Sequence, residues 1–481
     1  MFFRKRNIVI GLLFTAVVIS ACKKAFNDAN STNDSNLTVN LYRAIQQNNG
    51  TAIFASLLIK SGYATLLASG TKSYTVWVPT DAALASLPST ILNDTALLRK
   101  FVGNHIANGT YNAGSVTLQR IPMLNGKYNN MIAGGIDSAN FTASNKYASN
   151  GVWHIIDKYI PARDNCWEWI NNSTNTANSK ALLQFLNYNF FDSTLATQTG
   201  VDPNTGAPIY KAGTGIVVKN KFLVDGVNIN DESTEYTFLV LDDGSFTTEY
   251  NKLSPWFKTG STDSTKTLTG FWLYKDLAVK GSYAASALPD TLLSQFGVKV
   301  PVDKSKITAS YKTSNGWVHV MSQVNFNLNY KFPPIILEGE NPSGFAADRT
   351  ANALYRIRIN PNTGATFKDL LMQNYGYAGY WIRYLAKGLN SMRYNAYWVS
   401  VNDVQTTPLW TQKLCIDSAN NPTTFTYVTV PYQNYNEVSL GQFTIANYRN
   451  VNLFVVGANT SSTSGGSVSI DVDYIKLVPA F

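Results

Sequence analysis

The 481-residue chain has three cysteines, three histidines and only 14% charged residues, and each scarcity removes a class of function. Cys166 and Cys415 stand 415 − 166 = 249 residues apart. With Cys22 set aside below, the two fall in different expected domains, so a disulfide between them is open to an envelope protein but is not the expected state. The histidines show neither a two-His helical spacing nor a Cys/His cluster, so a zinc centre is not indicated. No Gly-x-Ser-x-Gly elbow or phosphate-binding loop occurs, and Cys166, beside Trp167 and Trp169, has no histidine near it in sequence. A glycosidase would need two carboxylates facing one cleft. Asp242 and Asp243 are adjacent, would face opposite ways in a strand, and fit a turn and helix cap better. No catalysis is expected. The formal charge of +9 contains no run of five or six basic residues, so no nucleic-acid partner is expected.

The N-terminus is the most informative stretch present. Met1-Phe2-Phe3-Arg4-Lys5-Arg6-Asn7 precedes an apolar run shorter than the ~20 residues of a membrane span, and Ile19-Ser20-Ala21-Cys22 closes it. This resembles the bacterial lipobox, which implies a signal peptide over 1–21, a diacylglyceryl group on Cys22 and a membrane-held protein outside the cytoplasm. The alternative is a plain signal peptide or a short anchor helix. Loss of Arg4, Lys5 and Arg6 leaves 9 − 3 = +6. Residues 22–36, rich in Asn, Asp and Ser, lack apolar periodicity and read as a disordered tether.

Beyond the tether, apolar spacing predicts helix over 41–67, a strand at Tyr74-Thr75-Val76-Trp77-Val78, and a helix over 82–87 capped by Thr80 or Asp81. A further helix is expected over 97–106, and a strand at Gly151-Val152-Trp153-His154-Ile155-Ile156-Asp157. Tyr74 to Ala82 resembles the first box of the fasciclin-like domain, Tyr-Thr-Val-Phe-Ala-Pro-Thr-Asp/Asn-x-Ala. Asn104-His105-Ile106 with Gly109-Thr110-Tyr111 is similar to that family's middle segment, and Asn150 to Lys158 to its closing strand. The resemblance implies an α+β fold over 37–165.

A second, divergent copy is expected over 172–337. Glu235-Tyr236-Thr237-Phe238-Leu239-Val240-Leu241-Asp242-Asp243 repeats the first strand, and Ser314-Asn315-Gly316-Trp317-Val318-His319-Val320-Met321 the last. Tyr74 to His154 spans 154 − 74 = 80 residues and Tyr236 to His319 spans 319 − 236 = 83. Leu182-Leu183, Phe185-Leu186 and Phe190-Phe191 are assigned to its opening helix. Ser322 replaces the Asp157 equivalent, and no middle box is recognised.

From 338 to 481 the pattern changes to short alternating strands, over 354–359, 379–385, 394–401, 425–430, 451–456 and 468–478, which predicts an all-β jelly-roll sandwich. Tyr380 to Gly388 and Ile470 to Pro479 resemble a galactose-binding-domain-like module of the carbohydrate-binding kind. The fold class expected is therefore multidomain, two α+β bodies followed by an all-β sandwich.

Tyr, Phe and Trp number 27, 24 and 10, and flat aromatic faces stack on sugar rings. A glycan platform is expected around Trp398, Trp410, Tyr377 and Tyr380. The competing reading places these rings in the core, because alternation along 394–401 defines two faces without saying which is inside. Asn104, His105 and Tyr111 are candidates for an adhesive surface against half-buried structural roles. Asp471 and Asp473 are open to a structural Ca²⁺, though alternate acids on a last strand are more often solvated; no cofactor is expected beyond the lipid. The resemblances imply a Bacteroidota-type surface lipoprotein on the outer membrane, binding polysaccharide or cell-surface glycan beside an outer-membrane importer. A protein–protein adhesin or spacer is the alternative.

Overall fold

The computed structural model describes residues 35–114, 117–347, 350–376, 379–404, 406–407, 409–421, 425–458 and 468–481. The signal peptide, Cys22, most of the tether and Tyr377 lie outside the described residues. Ser35–Thr38, assigned in part to the tether, forms a 3-10 turn. No helix among the described residues is long and apolar enough to cross a membrane. The chain divides into two compact units: residues up to Asn165 with Asp231–Thr234 and Thr313–Asn315, and the remainder.

In the first unit the helical stretch expected over 41–67 is three helices, Leu41–Gln46, Ala52–Lys60 and Tyr63–Ala68. Gly50 and Gly62, at φ +85° and +79°, turn the chain between them where other residues would be strained. Asn40 caps the first through its side-chain oxygen, and Asp94 caps Thr95–Gly103 by accepting from Ala96 and Leu97 N at 2.8 and 2.9 Å. Thr80 accepts from Ala83 N at the start of Asp81–Leu84.

Tyr74–Pro79 is wholly buried. It pairs in parallel with Gly151–Ile156, Tyr74 opposite Gly151 through Pro79 opposite Ile156, in a seven-stranded sheet. Burial on both faces explains its near-continuous apolar run, interrupted only by Thr75. Four strands of that sheet, Gln119–Pro122, Tyr128–Ile132, Gly135–Ile136 and Ala139–Ala148, fall where no element is predicted.

The second unit holds an α+β body and an all-β region that share one hydrophobic core. In the α+β body Tyr236–Leu241 pairs in parallel with Gly316–Met321, Tyr236 opposite Gly316 through Leu241 opposite Met321. The same pairing order is found in the first unit. Ala278–Lys280 flanks it as Ile106–Asn108 flanks Tyr74–Pro79. The opening helix ends at Phe185. Phe190 and Phe191, assigned to that helix from sequence, lie instead in the exposed strand Asn187–Phe191, paired with Ile216–Asn220. An apolar pair reads alike in a short strand and a helix, which misled the assignment.

The all-β region contains a four-stranded sheet (Ile335–Glu338, Tyr474–Ala480, Arg393–Val399, Val438–Thr444) and a five-stranded sheet (Gly344–Phe345, Trp381–Leu389, Arg449–Gly457, Thr411–Ile416, Val428–Thr429). A third sheet joins Ala353–Ile359, Thr366–Gln373 and Ser469–Val472. Ala396, Trp398 and Ile475 from the first and Ile382, Tyr384 and Val455 from the second lie in a common core. Strands Ile335–Glu338, Thr366–Gln373, Thr411–Ile416 and Val438–Thr444 were not predicted.

Candidate functional site

The residues expected to form a glycan platform are core. Trp398 is 1% exposed and Trp410 and Tyr380 are 0%. Along Arg393–Val399 the face carrying Tyr394, Ala396 and Trp398 is the inner one, while Asn395 and Tyr397 face outward, half-buried. The inner face buries two large rings, Tyr394 and Trp398, against the single ring of Tyr397 on the other, and Val399 is buried as well, so this parity removes more apolar area from water. Tyr377, outside the described residues, receives no structural account.

The proposed adhesive set is likewise interior. Asn104 Nδ2 donates to the Ile160 and Pro161 carbonyls at 3.2 Å each. His105 Nδ1 donates to Phe101 O at 3.0 Å while Nε2 accepts from Ile160 N at 2.9 Å, so the ring is neutral. Full burial holds its pKa down at about 4 against the Phe101 hydrogen bond. Tyr111 is half-buried, and its backbone does the work: N donates to Thr75 Oγ1 at 2.8 Å and O accepts from His154 Nε2 at 2.9 Å. Asp242 accepts from Ser245 N, and Asp243 accepts from Ala177 and Asn178 N at the start of Ala177–Phe185. Both therefore act as turn and cap. Among the described residues no group of three or more His, Cys, Asp or Glu is arranged to hold a metal ion.

Asp471 is not solvated. Its carboxylate is buried, takes a 2.8 Å ion pair from Arg356 and accepts from Val401 N. Arg356 and Arg358 both reach the buried Asp369, and both also reach Asp403. Two guanidiniums thus supply the positive charge at these acids. Burial and the neighbours Asp369, Glu338 and Glu340 push the Asp473 carboxyl up to about 7.

A concave site lies where the α+β body of the second unit meets the all-β region. This cleft of about 420 Å³ is lined by Trp272, Phe332, Lys387, Asn390, Tyr448 and Asn450, among others. Trp272 comes from the helix Thr262–Tyr274. Phe257 and Phe332 stack on it, with ring centroids 5.4 and 6.4 Å away. Lys331 is buried beneath, its Nζ bonded to Trp272 O at 2.5 Å and Asp276 Oδ2 at 2.8 Å. Burial lowers the Lys331 pKa to about 8 in spite of Asp276. For Asp276, burial alone would raise the carboxyl; Lys331 and Lys275 bring it below its ordinary value.

The other wall is made by an irregularity in a strand. Trp381–Leu389 slips register against Arg449–Gly457 between Ala386 and Leu389, and such bulges re-aim side chains. Gly388 sits there at φ +63°, and a Cβ would stand 2.7 Å from the Tyr448 hydroxyl. Its N donates to Asn450 Oδ1 at 2.9 Å. Lys387 and Asn450 are exposed and Tyr448 is half-buried. Among the described residues lining the cleft, the charged groups are two lysines, and there is no carboxylate. Aromatic walls, the exposed Asn450 amide and the one open cationic head, Lys387, around an open cleft suit a polar ligand with flat apolar faces.

Residues 49–161 match the family model of the fasciclin domain. None of the curated proteins matches the chain. Among solved structures, a FAS1 domain pair from the insect cell adhesion molecule fasciclin I is similar at 14% identity, covering 59% of this chain and 99% of that one, with TM-score 0.23. A family 35 carbohydrate binding module from Clostridium thermocellum is similar at 17% identity, covering 31% and 98%, with TM-score 0.22. The C-terminal CBM6 of LamC from Zobellia galactanivorans is similar at 16% identity, covering 30% and 98%, with TM-score 0.20.

Proposed function

We propose that this is a non-catalytic surface lipoprotein, held in the outer membrane by lipid on Cys22 and facing the cell exterior, that captures glycan in the Trp272–Tyr448 cleft. The observation carrying this reading is the pairing of aromatic walls with exposed Lys387 and Asn450 and with no carboxylate among the described lining residues. Lys387 favours an acidic polysaccharide, one bearing uronic acid or sulfate groups, because an ammonium beside an open aromatic wall attracts anionic sugars. Residues 172–337 form a divergent fasciclin-like copy, and the sandwich is of the carbohydrate-binding kind. Binding feeds an outer-membrane polysaccharide importer.

Affinity electrophoresis of the full chain through gels loaded with acidic or neutral polysaccharide tests the binding. Retardation by an acidic polysaccharide that fades with salt is the expected result. Unretarded migration in every gel leaves the adhesin or spacer role. Lipidation is tested separately: membrane association is lost in Cys22→Ala, and an intact mass lacking acyl chains at Cys22 removes the anchor from the account.

A further inference from the structure

The strand pair Asn187–Phe191 and Ile216–Asn220 forms a two-stranded ribbon on the second unit. Every residue of Asn187–Phe191 is exposed. Phe191 is 45% and Val218 67% exposed, so apolar side chains stand in water on the ribbon. Isolated two-stranded ribbons are marginally stable, and an open edge strand is a template for another strand.

The ladder itself identifies the groups at that edge. Asp192 N donates to Gly215 O at 2.7 Å and Lys221 N donates to Leu186 O at 2.9 Å, so even-numbered residues turn their backbone groups inward. By antiparallel alternation, the N–H and C=O of Asn187, Asn189 and Phe191 face the open edge. That strand contains no charged residue and no proline, the usual guards of an edge, whereas the opposite strand carries Lys219.

We propose that two copies of this chain pair through the Asn187–Phe191 edge, antiparallel about a twofold axis at Asn189. The strand is self-complementary in that register. Asn187 meets the second copy's Phe191, Asn189 meets its own counterpart, and each outward-facing residue exchanges an N–H···O pair. Tyr188 stands across from the second copy's Phe190 in the narrow pairs, where side chains approach most closely and aromatic contacts stabilise the ladder. No like charges meet. Moving the axis to Asn187 or Phe191 leaves a single outward-facing pair within the strand, so the Asn189 register is favoured. So short a ladder makes a weak, isologous dimer.

The test uses the full chain in non-ionic detergent, with sedimentation from about 1 to 100 µM, the range of weak self-association. Asn189→Cys should give a disulfide-linked dimer on mild oxidation, and Val218→Cys, on the far strand, should not. Asn189→Pro removes an N–H that faces only the open edge and leaves the ribbon's own ladder intact. It should weaken the dimer at least about tenfold, since the lost bond counts twice across the axis, without changing thermal unfolding. Three results overturn the proposal: a monomer at every concentration, equal cross-linking of the two cysteine variants, or a dimer indifferent to Asn189→Pro.

Discussion

His154 and His319 make the same hydrogen bond in two bodies of the chain: Nε2 of each lies 2.9 Å from a tyrosine carbonyl, Tyr111 in one and Tyr283 in the other. The surroundings match as well. Thr75 Oγ1 donates to Gly109 O and Thr237 Oγ1 to Gly281 O, both at 2.8 Å. Asp81 accepts from Ile53 N and Asp243 from Ala177 N, each holding the start of a helix, Ala52–Lys60 in one body and Ala177–Phe185 in the other. Burial lowers the pKa of both histidines, so both are neutral. These are architectural residues.

Gly151 and Gly316 open the two closing strands at φ +149° and +140°, and a Cβ on either would overlap a carbonyl oxygen, that of Tyr74 or Tyr236. Gly151→Ala and Gly316→Ala should each cost on the order of 3 kcal/mol or more, measured by denaturant unfolding. A loss below about 0.5 kcal/mol, the range of an ordinary surface change, would show that the parallel pairing is not as described.

Stability should fall on acidification through the His105 titration. Its folded pKa of about 4 lies below the ~6.5 of an unfolded histidine, so the unfolded chain binds more protons between those values. The contribution is complete above pH ~6.5 and is lost as pH falls toward 4, on the order of 3 kcal/mol in all. His105→Gln should flatten that part of the stability–pH curve. An unchanged slope would contradict the neutral, buried ring.

Trp398→Ala and Trp410→Ala should each destabilise by about 3 to 5 kcal/mol, because each truncation leaves a large cavity in a packed core. Calorimetry on the full chain reads this directly. A melting temperature within a degree of wild type would mean that the rings are exposed after all.

Asp471→Ala should cost about 1 to 3 kcal/mol, since it leaves the buried Val401 N without its acceptor while Arg356 keeps Asp369 and Asp403. The Arg449–Asp417 pair, with both side chains more than 40% exposed, should be worth under about 1 kcal/mol by double-mutant cycle. Equal losses at the two sites would refute the buried network.

The fasciclin boxes were legible because a buried parallel strand, a proline turn and a left-handed glycine each leave local marks. The corresponding segment of the second α+β body was not recognised. Where the first body has Asn104-His105 it has Asp276-Leu277, yet Gly281-Ser282-Tyr283 keeps the Gly-x-Tyr spacing that carries the hydrogen bonds, and that was the available signal. The placement of Trp398 was not legible, because alternation separates two faces without naming the inner one. The cleft was invisible for another reason: Trp272, Lys387 and Tyr448 are far apart in sequence and meet only through packing of two bodies, aided by a bulge that no local pattern announces.

Calorimetric titration of the full chain with acidic and neutral oligosaccharides, on wild type, Tyr448→Ala and Lys387→Ala, tests the central claim most directly. A ring stacking through its open face contributes about 1 kcal/mol or more beyond its area, so truncating the half-buried Tyr448 to Ala should weaken binding at least about fivefold. Lys387→Ala should act on acidic ligands alone and should not shift thermal unfolding by more than about 2 °C. Wild-type affinity in both variants, or no heat with any oligosaccharide, would contradict the cleft as a glycan site.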